Sequence, residues 1–188
     1  MATQVASSQI EMLVTGEDLP AMGDIGLAEL VEGRIIHMSP TGGKHAIYEL
    51  NFAEPLKGFA KQHRLGKVMV GEVGIYTRRN PDTVRAADVA FISNERYARW
   101  NKTGYLDVAP DLVVEIMSPD ERWNDVIQKL REYFGVGVRL VWVAHPETRT
   151  VYAYRSMTDV CEFGESDTLT GDDVLPGFSV LLASLFEE

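Results

Sequence analysis

The sequence predicts an α/β fold, a central sheet covered by helices, and three observations point to it. Short β-branched runs such as "LVVEIM" and "VRLVWVAH" read as buried strands. Between those two runs, apolar residues recur at helical spacing from Trp123 to Phe134. Strand, helix, strand around an apolar centre is the order in which helices come to pack on a sheet.

Along the chain, Thr15 to Met22 reads as a short helix with Glu17 and Asp18 in its first turn. "LAELVEGRIIHMS" reads as a hairpin turning at Glu32-Gly33. After the loop "PTGGK", residues 44–63 place Ala46, Leu50, Ala53, Leu56 and Ala60 on one helical face, with Pro55 as a kink. Strands follow at 67–76 and 86–92, then a polar, aromatic loop from Trp100 to Asp107. After the strand at 112–117, Ser118-Pro119-Asp120-Glu121 has the form of a capping box. The stripe Trp123, Val126, Ile127, Leu130, Phe134 then makes a helix, with Gly135 as its stop. "VRLVWVAH" and "TVYAYR" are two more strands, and a loop and "LPGFSVLLASLF" close the sequence.

The 188 residues are expected to form a single domain, with residues 1–14 as an N-terminal arm. One cysteine, Cys161, excludes an internal disulfide framework and fits a reducing compartment. The start lacks a basic segment followed by a long apolar one, and no run approaches the roughly 18 apolar residues of a spanning helix. A soluble, cytoplasmic protein without a membrane partner is expected. The net charge of −10 argues against a nucleic-acid partner, but its distribution argues the other way. Residues 34–155 carry all 18 Lys and Arg side chains against 14 acids, between acidic flanks. The middle of the chain therefore permits a nucleic-acid surface without requiring one.

Two carboxylates stand out. Strand side chains alternate, so Glu115 leaves an apolar strand on the same side as Val113 and Met117. A buried carboxylate needs a cation, a donor or a metal ion. Asp88, in "AADVAFI", poses the same problem on another strand. Two acids on two core strands suit a divalent metal, which takes hard oxygen ligands on a rigid frame. Each taken singly could instead satisfy a backbone donor at a strand end. Lys129 borders the apolar stripe of the following helix, and its stem can run along the packed surface to the sheet edge. Asp125, one turn earlier, is the alternative partner for it.

Together, an Asp on one strand, a Glu on a later strand and a nearby Lys resemble the PD-(D/E)XK nuclease superfamily. The usual lysine position, two residues after the glutamate, is Met117 here. The chain is more closely similar to the Uma-two family of restriction endonuclease-like proteins, in which the lysine comes from the next helix. The resemblance runs from about residue 10 to the end, over "ELVEGRIIHMSP", His45, "ADVAFI", "PDLVVEIMSP", Asp125, Lys129, Tyr133, "GVGVRLVWVAHP" and "LPGFSVLL". Ala87 replaces a proline of the superfamily pattern, and His145 stands where similar sequences often show an aspartate. The resemblance implies a three-layer, restriction-endonuclease-like fold with a mixed central sheet and an active site of Asp88, Glu115 and Lys129. It further implies Mg²⁺ or Mn²⁺ held by Asp88, Glu115 and the Ile116 carbonyl, with Lys129 acting on the attacking water. DNA is the implied partner, and a homodimer is compatible with it. The two carboxylates and the Lys129 ammonium are expected to meet at one cleft, with lysines and arginines gathered round it.

Weaker candidates are His45, which shares a helix face with Glu49, and Glu29, preferred over Glu32 as an extra acid from the hairpin. Arg78, Arg79 and Arg85 flank the Asp88 strand and could track a phosphate backbone, with a solvated loop as the default reading. "TGGKH" lacks P-loop spacing, His37, His63 and His145 lack zinc spacing, and Cys161 has no evident base. A binding module that has lost catalysis, and hydrolysis of some other phosphoester, are the competing functions.

Overall fold

The computed structural model describes residues 13–119 and 121–188. The proposed N-terminal arm, apart from its last two residues, and Asp120 of the capping box therefore lie outside the described residues. A short helix α1 (Asp18–Ala21) precedes the hairpin β1 (Ala28–Val31) and β2 (Arg34–His37). Then come α2 (Gly43–His63), β3 (Gly66–Arg78), β4 (Thr83–Ser93), α3 (Asn94–Arg99), β5 (Leu112–Ile116), α4 (Trp123–Val136), β6 (Leu140–His145) and β7 (Thr150–Ser156). The chain ends through β8 (Asp159–Phe163), β9 (Thr168–Gly171), β10 (Leu175–Leu181) and α5 (Leu182–Leu185).

Eight strands form a mixed sheet in the order β2-β1-β4-β5-β6-β7-β8, with β3 also paired to β4. Its parallel pair is β5 with β6, which needs a crossover, and α4 provides it. Strand alternation sends Leu112, Val114 and Ile116 into a core under α2, α5 and the β9–β10 hairpin. Val113 goes to the opposite core, under Val126, Leu130 and Tyr133 of α4. Helix, sheet, helix is the expected three-layer architecture.

β4 organises the site. β3 occupies one of its edges along nearly the whole strand. The other edge is shared: β1 touches it at Leu30↔Val84, and β5 joins only at Val89↔Val114 and beyond. Between these two contacts, residues 85–88 face a gap where β1 and β5 diverge. Backbone donors beside such a gap must find partners other than a ladder carbonyl.

Three local expectations are corrected. The capping box is not used: α4 begins at Trp123 with Arg122 as N-cap, and the Glu121 N–H donates to the Ser118 carbonyl at 3.0 Å in a turn. The Glu121 carboxylate, which a capping box would fold back, faces Lys129 at 3.6 Å instead. α4 also passes through Gly135 and stops at Gly137, whose φ of 97° supplies the left-handed cap. On α2 the buried face is Tyr48, Phe52, Ala53, Leu56 and Ala60, while Leu50 is 62 % exposed. The rings of Tyr48 and Phe52 turn the helix toward Phe186, 5.8 and 5.9 Å away edge-on.

Candidate active site

Both carboxylates sit where β4 and β5 part. Asp88 on β4 and Glu115 on β5 each lie one residue past the last rung of their ladder, Val89↔Val114, close enough for the Asp88 charge to act on Glu115. Both are buried. Oδ2 of Asp88 accepts the Ile116 N–H at 2.6 Å, replacing the ladder carbonyl that the divergence removes. Its Oδ1 meets His45 Nε2 at 3.1 Å. In the same gap, Oε1 of Glu29 accepts the Ala86 N–H at 3.0 Å. The strand-end satisfaction considered for single acids thus occurs at Asp88, but it leaves Oδ1 and a second lone pair on each oxygen for other partners.

Glu115 has two buried contacts of different kinds. Tyr133 Oη donates to Oε1 at 2.6 Å, and Lys129 Nζ stands 2.8 Å from Oε2. Burial dominates the energetics of this carboxyl and, with the nearby Asp88 charge, pushes its pKa up to about 7 against the pull of Lys129. Burial alone would lower the Lys129 pKa, but Glu115, Glu29 and Glu121 outweigh it and hold the ammonium charged. Glu29 lies 3.8 Å from Lys129 Nζ. Asp125, by contrast, is exposed and makes no pair with Lys129. The lysine points across the sheet, toward the acids, rather than back along its own helix.

Glu72 belongs to the site and was not singled out from the sequence. It lies in a bulge of β3 between Val70 and Val73, with Gly71 and Glu72 both at positive φ, 85° and 58°. Burial raises its pKa, and the Asp88 charge adds to the shift. A glycine inside a strand pattern is the local signal of such a bulge, and "VGEVG" carries it. Tyr133 was equally legible, being one turn after Lys129 on the same face. The Asp88 bond raises the pKa of His45 against the opposing effect of burial, which favours the imidazolium.

A cleft of about 620 Å³ opens beside this cluster, at the carboxyl ends of β5 and β6. His45 and Ile116, both bonded to Asp88, form part of its wall, as does Glu121 next to Lys129. Asp88, Glu115 and Lys129 stand behind that wall, so the expected direct opening of all three onto the cleft is modified. The expected basic rim is overturned: alongside Lys44 the cleft is lined by Glu121, Glu147 and Glu188. Lys44 itself is paired with Glu188 at 2.7 Å.

The three arginines beside Asp88 are also spoken for. Arg85 is buried and joins Glu29 at 2.7 Å to Glu132 at 2.6 Å. Arg78 pairs with Glu32, and Arg79 with Glu17 and Asp82 while its guanidinium lies 3.5 Å from the Tyr76 ring centre. Of the two hairpin acids, Glu29 is at the site and Glu32 is at the surface.

A family model described as "Uma2, putative restriction endonuclease" matches residues 17–184. The chain belongs to the Uma2 family. Its fold is also that of a crystal structure of a putative nuclease from Anabaena variabilis, 20 % identical, with a TM-score of 0.77 over 92 % of this chain and 97 % of that one. No curated protein matches the chain. Restriction-endonuclease-like proteins such as the Uma2 family generally use divalent metals. Among the described residues of this Uma2 chain, no group of three or more His, Cys, Asp or Glu side chains is close enough to enclose a metal ion. The donor chemistry nevertheless fits a hard cation that keeps several waters. Asp88 and Glu115 offer carboxylate oxygens close to one another, and Ile116, bonded to Asp88, lines the cleft. Glu115, Glu121 and Glu29 stand 2.8, 3.6 and 3.8 Å from the Lys129 ammonium, which also acts on Glu72, so this one cation serves several carboxylates, of which Glu29 is shared with Arg85.

Proposed function

We propose that this chain is a metal-dependent endonuclease that hydrolyses phosphodiester bonds in DNA. The observation that carries the reading is the closeness of two buried carboxylates at the end of the β4–β5 ladder, Asp88 bonded to the Ile116 N–H and its charge acting on Glu115, with Lys129 Nζ 2.8 Å from Glu115. Asp88, Glu115 and the Ile116 carbonyl would hold Mg²⁺ or Mn²⁺. Bound there, the ion supplies polarisation of a phosphoryl oxygen and a water of lowered pKa. Lys129 would orient the attacking water and offset negative charge developing on the phosphate. Tyr133 fixes the Glu115 carboxylate, and Glu29 holds the ammonium from the other side. His45 holds a proton at Nε2 against Asp88 and presents its ring to the cleft. The acids lining the cleft favour a second reading, in which the substrate is a smaller phosphoester that needs no polyanion track.

The test is cleavage of supercoiled, linear and single-stranded DNA with Mg²⁺ and Mn²⁺. Metal-dependent nicking, stopped by chelator, is the expected result. DNA that is shifted but left intact would mean a binding module. Release of phosphate from small phosphoesters with no action on DNA would establish the second reading.

A further inference from the structure

The far end of α2 carries a surface of a different character. A groove of about 330 Å³ is lined by Lys57, Lys61, Arg64 and Lys67 together with Asn94, and by no acid. All four cations are exposed. Among the described residues none of them makes an ion pair with a carboxylate. In a chain of net charge −10, where Arg78, Arg79, Arg85, Arg139, Arg149 and Arg155 all have acidic partners, such a grouping is unusual.

The α2 macrodipole explains part of it, since cations are favoured at a helix C-terminus. Lys61 and Arg64 stand there, and Arg64 is the left-handed cap at φ 55°. The dipole does not explain Lys57, a turn further back, nor Lys67 on β3. What the four share is the groove between the two elements. Its floor is firm: the Arg64 carbonyl accepts Asn94 Nδ2, and the Asn94 N–H donates to the Leu65 carbonyl at 2.9 Å.

We infer that this groove is a docking site for a nucleic-acid phosphate backbone, separate from the cleft at the other end of α2. Four exposed lysine and arginine heads with no carboxylate partner among the described residues, Lys67 also lying 6.0 Å from the Tyr97 ring centre, make a sequence-independent electrostatic contact, driven by release of condensed counterions. From His45 to Lys61 is 16 residues of one helix, about 24 Å at about 1.5 Å per residue, or about seven base pairs. The groove thus sits about 24 Å from the cleft along α2, a distance within the length of one ordinary duplex. This gives a nuclease with an acidic cleft rim the backbone affinity that the rim itself lacks. The inference concerns binding and rests on the nuclease reading only for its purpose.

The experiment measures anisotropy of a labelled 30-base-pair duplex with the full chain and with the Lys57→Gln/Lys61→Gln/Lys67→Gln variant, in Ca²⁺, over a range of salt. Nicking of supercoiled DNA in Mg²⁺ is assayed alongside. The expected result is a loss of affinity of about tenfold or more, with the slope of log K against log salt shallower by about 2 to 3. Exposed lysine substitutions should leave the thermal midpoint nearly unchanged, which separates this loss from misfolding. Equal affinity and slope in both proteins would overturn the groove, and the nuclease reading would survive if the wild type still nicks. Binding that depends on the groove without nicking would keep the groove and remove the nuclease. Wild-type binding to poly-glutamate but not to the duplex would overturn the nucleic-acid partner in favour of an acidic protein.

Discussion

Three residues apart on β4, Arg85 and Asp88 serve two buried charge clusters built on opposite terms. Around Arg85 the guanidinium is shared by Glu29 and Glu132, with bonds of 2.6–2.8 Å to both. Burial works against the Glu132 carboxylate, yet Arg85 more than compensates and its pKa lies below the ordinary value. Around Asp88 the partners are a backbone N–H and a histidine, and the neighbouring Glu115 is driven up to about 7 by burial despite Lys129. The first cluster closes the gap between β1 and β5 and is electrostatically settled. In the second, burial leaves Glu115 poorly stabilised as a carboxylate, which is costly in a fold and useful in a metal site.

Breaking the settled cluster should have the largest effect on folding. Arg85→Met strands the buried Glu29 and the half-buried Glu132, and a loss of about 3 kcal/mol is expected by denaturant unfolding. Lys129→Met should cost less stability, because Glu115 keeps its Tyr133 bond and takes up a proton easily. Its effect should appear in turnover instead, lower by about 10²-fold or more in a nicking assay while metal binding persists. A smaller effect separates the clusters by pH. The depressed Glu132 carboxyl contributes stability that is fully present above the ordinary value of 4.5 and is lost as pH falls through its folded value. Thermal midpoints from pH 6 down to pH 3 should show that loss in the wild type and a weaker one in Arg85→Met. Least of all, Asp125→Asn should change stability by less than about 0.5 kcal/mol and leave nicking intact, since Asp125 is exposed and Lys129 does not face it.

The same contrast shows what was legible beforehand. Asp88 and Glu115 stand out because two acids interrupt strongly apolar strands, whereas Lys129, which borders an apolar helical stripe, is singled out through the family resemblance. Arg85, read as a solvated loop residue or a phosphate contact, is a buried ion-pair centre instead, because its partners Glu29 and Glu132 are 56 and 47 residues away in sequence. β8 gave no strand signal, as "DVCEF" is an exposed edge without apolar alternation. Glu72 depends on a bulge, and the acidic cleft rim on Glu188 being brought to Lys44 from 144 residues away. Local pattern carried the elements; the charge balance of the site is set by long-range contacts that no local pattern encodes.

The central claim is that the unsettled cluster is unsettled for a metal ion. Calorimetric titration of Mn²⁺ into the wild type and into Glu115→Gln, at one pH, tests it most directly. Gln keeps the size of the side chain and an acceptor for Tyr133 but removes the charge. The account predicts one site in the wild type and an affinity at least about tenfold weaker in the variant. Equal Mn²⁺ binding by the two proteins, or none by the wild type, would contradict it.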